Sequence, residues 1–208
     1  TDAITLELNP SLQISGAADA VSGQDIALQR LPGPPDYFVE LSFGQTQPAG
    51  SQRLIKIGYQ GEPGSGGFGS FVFSQRYGQP HFWTLSQPYG ARDWFPNLNT
   101  PSVKADSSDV IVRAPEPLKV ASNGLLQSTS QLAEGRRQWH WRSRNPIAHY
   151  LISITGADYN VYESEFEYGG EQPMPVHHYI YAGADSPQLR EQADATLPML
   201  ELFTELFG

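Results

Sequence analysis

Cysteine, net positive charge and long apolar runs are all missing from this 208-residue sequence. Without cysteine the chain has no disulfides, thiolate metal ligands or cysteine nucleophiles, and its compartment stays open between the cytoplasm and the bacterial periplasm. The formal net charge is −9, so the chain repels a phosphate backbone, and we expect no nucleic-acid partner. No apolar run approaches the roughly 20 residues of a membrane-spanning helix, so no membrane span is expected.

The composition indicates a folded protein with many turns. Hydrophobic residues make up 39% and aromatic residues 12% of the chain, which is enough for a sizeable core. Charged residues make up only 17%, against roughly a quarter in a typical domain. The 20 glycines and 17 prolines exceed the average share but stay below the level that signals disorder. We expect one large globular domain, with room for part of a second.

Short stretches of alternating apolar and polar residues dominate most of the chain. In the first stretch Ile4, Leu6 and Leu8 share one side. The later stretches are residues 54–59, 71–73, 109–114, 118–122, 136–144, 149–155, 161–168 and 176–183. Asn123-Gly124 predicts a hairpin turn. This spacing predicts an all-β sandwich of short antiparallel strands.

The C-terminal segment has a different, helical pattern. Ser186 followed by Pro187 predicts an N-cap with proline at the first helical position. Apolar residues then recur at helical spacing, and Pro198 is expected to kink or divide the helix. We place a boundary between a β-rich unit at 1–183 and a helical segment at 184–208 that begins a second domain.

Three patterns resemble sites but have simpler explanations. GSGGFG at 64–69 fits the dinucleotide pattern, but a strand-like sequence follows it, so a flexible hairpin turn is expected. His177 and His178 point to opposite faces of a strand, and H-E-x-x-H does not occur in this sequence, so no metal site is predicted. The glutamates of 163–167 are consistent with a glycosidase pair or a calcium site, although a solvated strand face is favoured.

Residues 136–144 alternate between cationic and aromatic side chains. Trp139 and Trp141 share one face and are expected in the core. The opposite face carries Arg136, His140, Arg142 and Arg144. A single-strand nucleic-acid platform needs cations and rings on one surface, so this separation argues against one. We expect the basic face to lie across from the glutamates of 163–167.

Residues 86–106, SQPYGARDWFPNLNTPSVKAD, combine loop signals with an Arg-Asp pair and two large aromatic residues. They resemble the N-terminal domain of zinc aminopeptidases of the aminopeptidase N and leukotriene hydrolase type. That family carries Gln/Glu-x-x-x-Ala-Arg-x-x-Phe-Pro-Cys-x-Asp-x-Pro-Ser-x-Lys-Ala. The matching residues are Gln87, Ala91, Arg92, Phe95, Pro96, Pro101, Ser102, Lys104 and Ala105. Further matches, at 54–63, 110–124 and 138–159, follow the family order, and the resemblance extends over residues 54–183.

The resemblance implies a saddle-shaped all-β domain that packs against its own thermolysin-like catalytic domain, where zinc would bind. It also implies that Gln87 binds the free α-amino group of a peptide substrate. An amide oxygen can accept charge-assisted hydrogen bonds from an ammonium group. Arg92, Trp94, Phe95 and Pro96 are then expected to support the loop structurally. No catalytic residue, metal ligand or cofactor is expected in this chain.

The sequence departs from the family pattern at several positions. Asn97 and Asn99 stand where the family has Cys and Asp, so an ion pair or strong backbone bond there is expected to be weakened or rebuilt. Leu85 replaces the usual Gln two positions before the amine-binding residue. The G-x-M-E-N segment and the zinc helix do not occur in this sequence, and the resemblance places them after Gly208. The alternative role for Gln87 is to cap a turn.

The resulting functional prediction is the non-catalytic N-terminal domain of a zinc aminopeptidase that removes N-terminal residues from peptides. Its expected partners are its own C-terminal catalytic domain and the peptide substrate. One alternative is a free-standing β-sandwich module that binds carbohydrate or protein through Trp83, Tyr89 and Trp94. A third interpretation is a glycosidase-like enzyme built on Glu163–Glu167, where same-face carboxylates lie about 6.6 Å apart along the strand.

Overall fold

A computed structural model describes residues 1–170 and 172–208 and shows a chain built mainly of short strands. The strands are β1 (Ala3–Glu7), β2 (Leu12–Asp19), β3 (Ala27–Arg30), β4 (Phe38–Ser42), β5 (Ile55–Gly61), β6 (Ser70–Arg76), β7 (Gln79–Leu85), β8 (Lys104–Ala105), β9 (Ser108–Pro115), β10 (Lys119–Ser122), β11 (Leu125–Gln131), β12 (Arg136–Ser143), β13 (Ile147–Ala148), β14 (Ile154–Ala157), β15 (Tyr159–Phe166) and β16 (Met174–Tyr181). Short 3-10 helices cover Gly90–Asp93, His149–Leu151 and Ala182–Ala184.

The strands form several small antiparallel sheets, which confirms the predicted all-β class. A four-stranded sheet has the order β10–β14–β7–β6, and two three-stranded sheets have the orders β1–β4–β3 and β11–β12–β9. Three strand pairs, β2–β5, β8–β13 and β15–β16, complete the arrangement in the described residues. Each pairing is antiparallel.

The main core lies between the four-stranded sheet and the sheet β11–β12–β9. Phe82, Val120 and Ile154 contribute from the four-stranded sheet, and Val120 is fully buried. Trp139 and Trp141 contribute from β12, and each is 5% exposed. The alternation of β12 therefore buries the two indoles, as the sequence predicts, because one face of a half-buried strand must pack on the core.

Two further core clusters join the N-terminal strands, and Leu28 packs against both. Their buried side chains come from β2, β4 and the segments beside them: Leu8, Leu12 and Val39 in the first, and Ala17, Ile26 and Leu41 in the second. Ile4 and Leu6 pack against the second cluster from β1, which confirms the side predicted for them. Strand β1 thereby gains a fixed position beside the loop that follows β7, where Glu7 pairs with Asn97.

The turn at Asn123-Gly124 differs from the prediction. It joins β10, which pairs with β14, to β11, which pairs with β12, so it connects two sheets and the predicted hairpin is wrong. Gly124 has a φ of +84°, and a Cβ there would lie 2.1 Å from the Arg142 carbonyl oxygen. Glycine is required at this position because any side chain would clash with the backbone of Arg142. The loop at 64–69 joins β5 to β6, which lie in different sheets, so the hairpin turn predicted there is also wrong.

Two helices end the chain, α1 (Pro187–Asp194) and α2 (Thr196–Phe207). The Ser186 hydroxyl accepts a hydrogen bond from the Leu189 amide at 3.2 Å, so the predicted N-cap is present. The helix is divided just before α2, and Pro198 lies in the first turn of α2, where amides have no intrahelical acceptor. Within the described residues, no helix is long and apolar enough to cross a membrane.

Candidate functional site

The candidate site is the ridge, defined as residues 86–100, which follows β7. The amide of Gly90 donates to the Ser86 carbonyl oxygen at 2.8 Å and closes a turn, after which Gly90–Asp93 forms a 3-10 helix. A Cβ at Gly90 would lie 2.3 Å from the Ser70 hydroxyl oxygen. Only glycine allows the ridge to approach β6 so closely, so the turn holds residues 86–90 against the sheet.

Gln87 lies on the outer side of this turn. Leu85 and Gln87 are exposed, whereas Ser86 between them is 2% exposed. Within residues 1–170 and 172–208 the Gln87 side chain makes no hydrogen bond, and the following 3-10 helix has no side-chain cap. A backbone hydrogen bond already closes the turn, so the turn-capping role is not supported. The amide of Gln87 is available for an external partner.

Arg92 fastens the ridge to the N-terminal strands. Its Nη1 donates to the Glu7 Oε2 at 2.6 Å, and its guanidinium carbon lies 3.7 Å from the centre of the Tyr37 ring. The Arg92 carbonyl oxygen also accepts a hydrogen bond from the Asn9 amide at 2.8 Å. These contacts join the ridge to Glu7, Tyr37 and Asn9.

Asp93 connects the ridge to two other segments. Its Oδ1 accepts from the Asn9 Nδ2 at 2.9 Å, and its Oδ2 accepts from the Ser70 hydroxyl at 2.6 Å. Its carbonyl oxygen accepts from the Gly64 amide at 2.8 Å. The glycine-rich loop, expected as a flexible turn, is therefore held against the ridge at Gly64.

Trp94, Phe95 and Pro96 form the half-buried, apolar part of the ridge. The Trp94 indole N–H donates to the Ser86 hydroxyl at 2.9 Å, next to Gln87 in the chain. The indole packs edge-on against Phe71, with ring centroids 6.0 Å apart, and against Phe95 at 4.5 Å. Such pairs contribute about 0.5–1.5 kcal/mol beyond their buried area, so they favour one position of the ridge.

The two asparagines both make polar contacts with Glu7. Asn97 pairs with Glu7 through two backbone hydrogen bonds of 2.8 and 3.2 Å. Asn99 donates from its Nδ2 to the Glu7 Oε2 at 2.7 Å. Sequence reasoning missed Glu7 because alternation only assigns it to the polar side of β1. Its partners lie about 90 residues away, and nothing in the local sequence identifies them.

The described residues do not offer a fit for zinc. They contain no group of three or more His, Cys, Asp or Glu side chains that could hold a metal ion. His81 is held between the Ser74 hydroxyl at 2.9 Å and the Tyr181 hydroxyl at 3.0 Å. His177 lies 3.6 Å from the Glu163 carboxylate. These histidines therefore have ordinary protein partners.

The glutamates of β15 and the basic face of β12 do not meet. Glu163 and Glu165 are exposed, which matches a solvated strand face. Strand β12 pairs with β9 and β11, so His140 and Arg142 both contact Asp109, with Arg142 Nε at 2.7 Å. The expected pairing of the basic face with the glutamates is wrong, because alternation fixes a strand's faces but not its neighbour.

The aromatic residues of the binding-module alternative do not form a shared platform. Trp83 and Trp94 are half-buried, and Trp94 packs into the protein as described above. Only Tyr89 of the three is more than half exposed, at 54%. Stacking on carbohydrate requires accessible ring faces, so the structure does not favour this alternative.

Two buried histidines stay neutral more readily than usual. Burial lowers the pKa of His149, and this outweighs the opposing influence of the Glu7 carboxylate and the Pro88 carbonyl. Burial, with a smaller contribution from the Arg76 guanidinium, lowers the pKa of His81. The two side chains are 8% and 6% exposed, respectively. Each histidine therefore takes up a proton more easily in the unfolded chain.

We expect the protein to lose stability as the pH falls below about 6.5, the ordinary histidine pKa. In this range the unfolded chain binds protons on His81 and His149 that the folded chain binds less readily, so acid favours unfolding. The urea midpoint should be lower at pH 5 than at pH 7.5. The double substitution His81→Gln/His149→Gln should reduce this difference. An unchanged or higher wild-type midpoint at pH 5 would contradict the expectation.

Comparison with known proteins supports the predicted family resemblance. The sequence model of the Peptidase M1 N-terminal domain matches residues 6–151, a span that includes the ridge, Glu7 and His149. That span is more than half of the chain and covers the ridge and most of the residues that carry the predicted resemblance, up to residue 151. No curated protein matches the chain.

Two solved structures show the same fold. The M1 zinc metallopeptidase from Deinococcus radiodurans has a TM-score of 0.73 and 20% identity over 89% of this chain. Legionella pneumophila aminopeptidase A in complex with aspartic acid has a TM-score of 0.70 and 14% identity over 88% of this chain. This chain spans 41% of the first structure and 20% of the second. Taken with the match over residues 6–151, the fold confirms the resemblance: the chain belongs to the peptidase M1 N-terminal domain family.

Proposed function

We propose that this chain is the non-catalytic N-terminal domain of a zinc aminopeptidase and binds the free α-amino group of the peptide substrate through Gln87. One observation carries the proposal. The Gln87 side chain is exposed and makes no hydrogen bond within the described residues, whereas the ridge around it is held in place by contacts with the rest of the protein. Ser86, Arg92 and Trp94 all have protein partners. Family membership and the similar metallopeptidase structures support the reaction class.

The chemistry of an amide suits this role. The Gln87 side-chain oxygen has two lone pairs and accepts hydrogen bonds, and an ammonium group donates up to three. A contact with a charged donor is stronger than one between neutral groups. A fixed acceptor at a set distance from the reacting bond selects the first residue of a peptide, because an internal amide nitrogen carries no charge and only one hydrogen.

The proposed partner of this chain is its own catalytic domain. We place the start of that domain at residue 184, so that 184–208 belongs to it and 1–183 forms the β-rich domain. Helix α2 exposes apolar side chains, with Leu206 at 62% and Phe207 at 80%, and a following domain would cover them. Zinc belongs to that catalytic domain, where a bound zinc ion activates water for hydrolysis.

The test compares the 208-residue chain with the full-length protein that contains it. We expect the 208-residue chain to bind no stoichiometric zinc and to leave aminoacyl amides uncleaved, because its described residues lack a metal-binding group. The full-length protein should bind zinc and cleave the same substrates. Zinc content is measured by atomic emission and activity by amine release. One tightly bound zinc per short chain, lost together with activity, would contradict the proposal, as would an inactive zinc-free full-length protein.

A further inference from the structure

We propose that Asn99 is a positioning residue, which works with Glu7 to fix the backbone from which Gln87 projects. Its effect on substrate rests on the proposed function, but its effect on the ridge does not. The two effects are therefore tested separately below.

The side-chain amide of Asn99 connects strand β1 to the turn that carries Gln87. The Asn99 Nδ2 lies 2.7 Å from the Glu7 Oε2 and 3.4 Å from the carbonyl oxygen of Tyr89. Tyr89 is two residues after Gln87, on the same turn of the ridge. The contact with Glu7 is charge-assisted and short, whereas the contact with Tyr89 is at the long limit of a hydrogen bond. Asn99 thereby links strand β1 to the turn that carries Gln87.

Glu7 is itself well anchored. Its carboxylate accepts from Arg92 Nη1 at 2.6 Å as well as from Asn99, so the middle and the C-terminal part of the ridge contact the same oxygen. Its backbone pairs with Asn97 in both directions. The position of the Glu7 carboxylate is therefore fixed, because both the side chain and the main chain of Glu7 make hydrogen bonds.

The surroundings of Asn99 are not those expected for a residue that serves only the stability of the fold. Its Oδ1 is buried and has no hydrogen-bond partner among the described residues. Its φ of +47° lies in the left-handed region, which asparagine tolerates better than most residues. An unpaired buried polar atom costs free energy, so a residue chosen only for stability would avoid it. The Nδ2 group of Asn99 donates to Glu7 and to Tyr89, which accounts for an asparagine at this position.

The structural test uses hydrogen exchange in the 208-residue chain. Asn99→Asp keeps the size and the tolerance for positive φ but sets a second carboxylate against Glu7. The double substitution Glu7→Gln/Asn99→Asp restores one amide and one carboxylate. We expect Asn99→Asp to speed exchange of the Gly90 amide, which is bonded to the Ser86 carbonyl, by about tenfold or more, and the double substitution to slow it again. Amides of β10 serve as the control and should not change.

Asn99→Gly removes the side chain, allows the same backbone angle and adds no charge, so it replaces Asn99→Asp if that variant does not fold. It too should speed exchange of the Gly90 amide. Unchanged exchange at this amide in the single variants would overturn the positioning role. Faster exchange that the double substitution with Glu7→Gln fails to reverse would overturn the pairing with Glu7.

The kinetic test uses the full-length protein. Asn99→Asp should lower kcat/KM for a free-amine peptide by about tenfold in the wild-type background and have little effect in the Gln87→Ala background. A general structural defect would lower kcat/KM equally in both backgrounds and would overturn the action through Gln87. If Gln87→Ala alone has no effect, the proposed function fails, while hydrogen exchange still decides whether Asn99 fixes the ridge.

Discussion

Replacing Gln87 by alanine in the full-length protein is expected to lower kcat/KM for peptides with a free amino terminus by about 10–100-fold. A hydrogen bond to a charged partner contributes about 1.5–3 kcal/mol, and each 1.36 kcal/mol corresponds to about tenfold in rate. Gln87 is exposed and has no hydrogen bond within the described residues, so its removal leaves no buried group unpaired. The loss should therefore appear in substrate turnover and not in the stability of the chain.

Two matched variants sharpen this expectation. Gln60 is also exposed and lies on β5, away from the ridge in sequence, so Gln60→Ala should change kcat/KM by less than about twofold. Gln87→Glu keeps an acceptor and adds negative charge, so it should retain amine binding far better than Gln87→Ala. An unchanged kcat/KM in Gln87→Ala would contradict the role, as would an equal loss in Gln60→Ala.

Replacing Arg92 by methionine is expected to lower the free energy of unfolding by about 2–3 kcal/mol. The substitution leaves the Glu7 carboxylate without its guanidinium and removes the contact with the Tyr37 ring. The Arg92 and Glu7 side chains are only 25% and 17% exposed, so water compensates the lost ion pair incompletely. Urea unfolding of the 208-residue chain at pH 7.5 measures the loss, which corresponds to a decrease in Tm of roughly 5–10 °C.

The control is a second arginine–glutamate pair that lies at the surface. Arg137 and Glu116 are 3.2 Å apart, but their side chains are 43% and 46% exposed. Arg137→Met should therefore cost less than about 1 kcal/mol, because solvent screens the pair on both sides. Equal losses for the two arginines would show that the Arg92 contacts do not anchor the ridge.

Local patterns predicted much of the fold. Alternation placed Trp139 and Trp141 in the core, and Ser186 with Pro187 marked the start of the terminal helix. These predictions succeed because a strand face and a helix cap are decided by residues within a few positions. The ridge and its supporting residues were predicted from the motif, and the structure adds the contact partners of Arg92, Asp93 and Trp94.

Pairing between distant segments could not be predicted from the same patterns. Arg92 and Glu7 are 85 positions apart, and nothing in either neighbourhood specifies the other. Asn123-Gly124 has the composition of a hairpin turn, yet its flanking strands find partners in different sheets. A turn residue specifies backbone angles, whereas the choice of strand partner depends on how all the sheets pack.

The most direct test of the central claim is a pair of competitive inhibitors of the full-length protein that differ only in an α-amino group. Their inhibition constants are measured with the wild type and with Gln87→Ala. The amine-bearing inhibitor should bind the wild type about 10–100-fold more tightly than its des-amino analogue, and Gln87→Ala should remove most of that difference. If the difference is the same in both proteins, Gln87 does not bind the substrate amine.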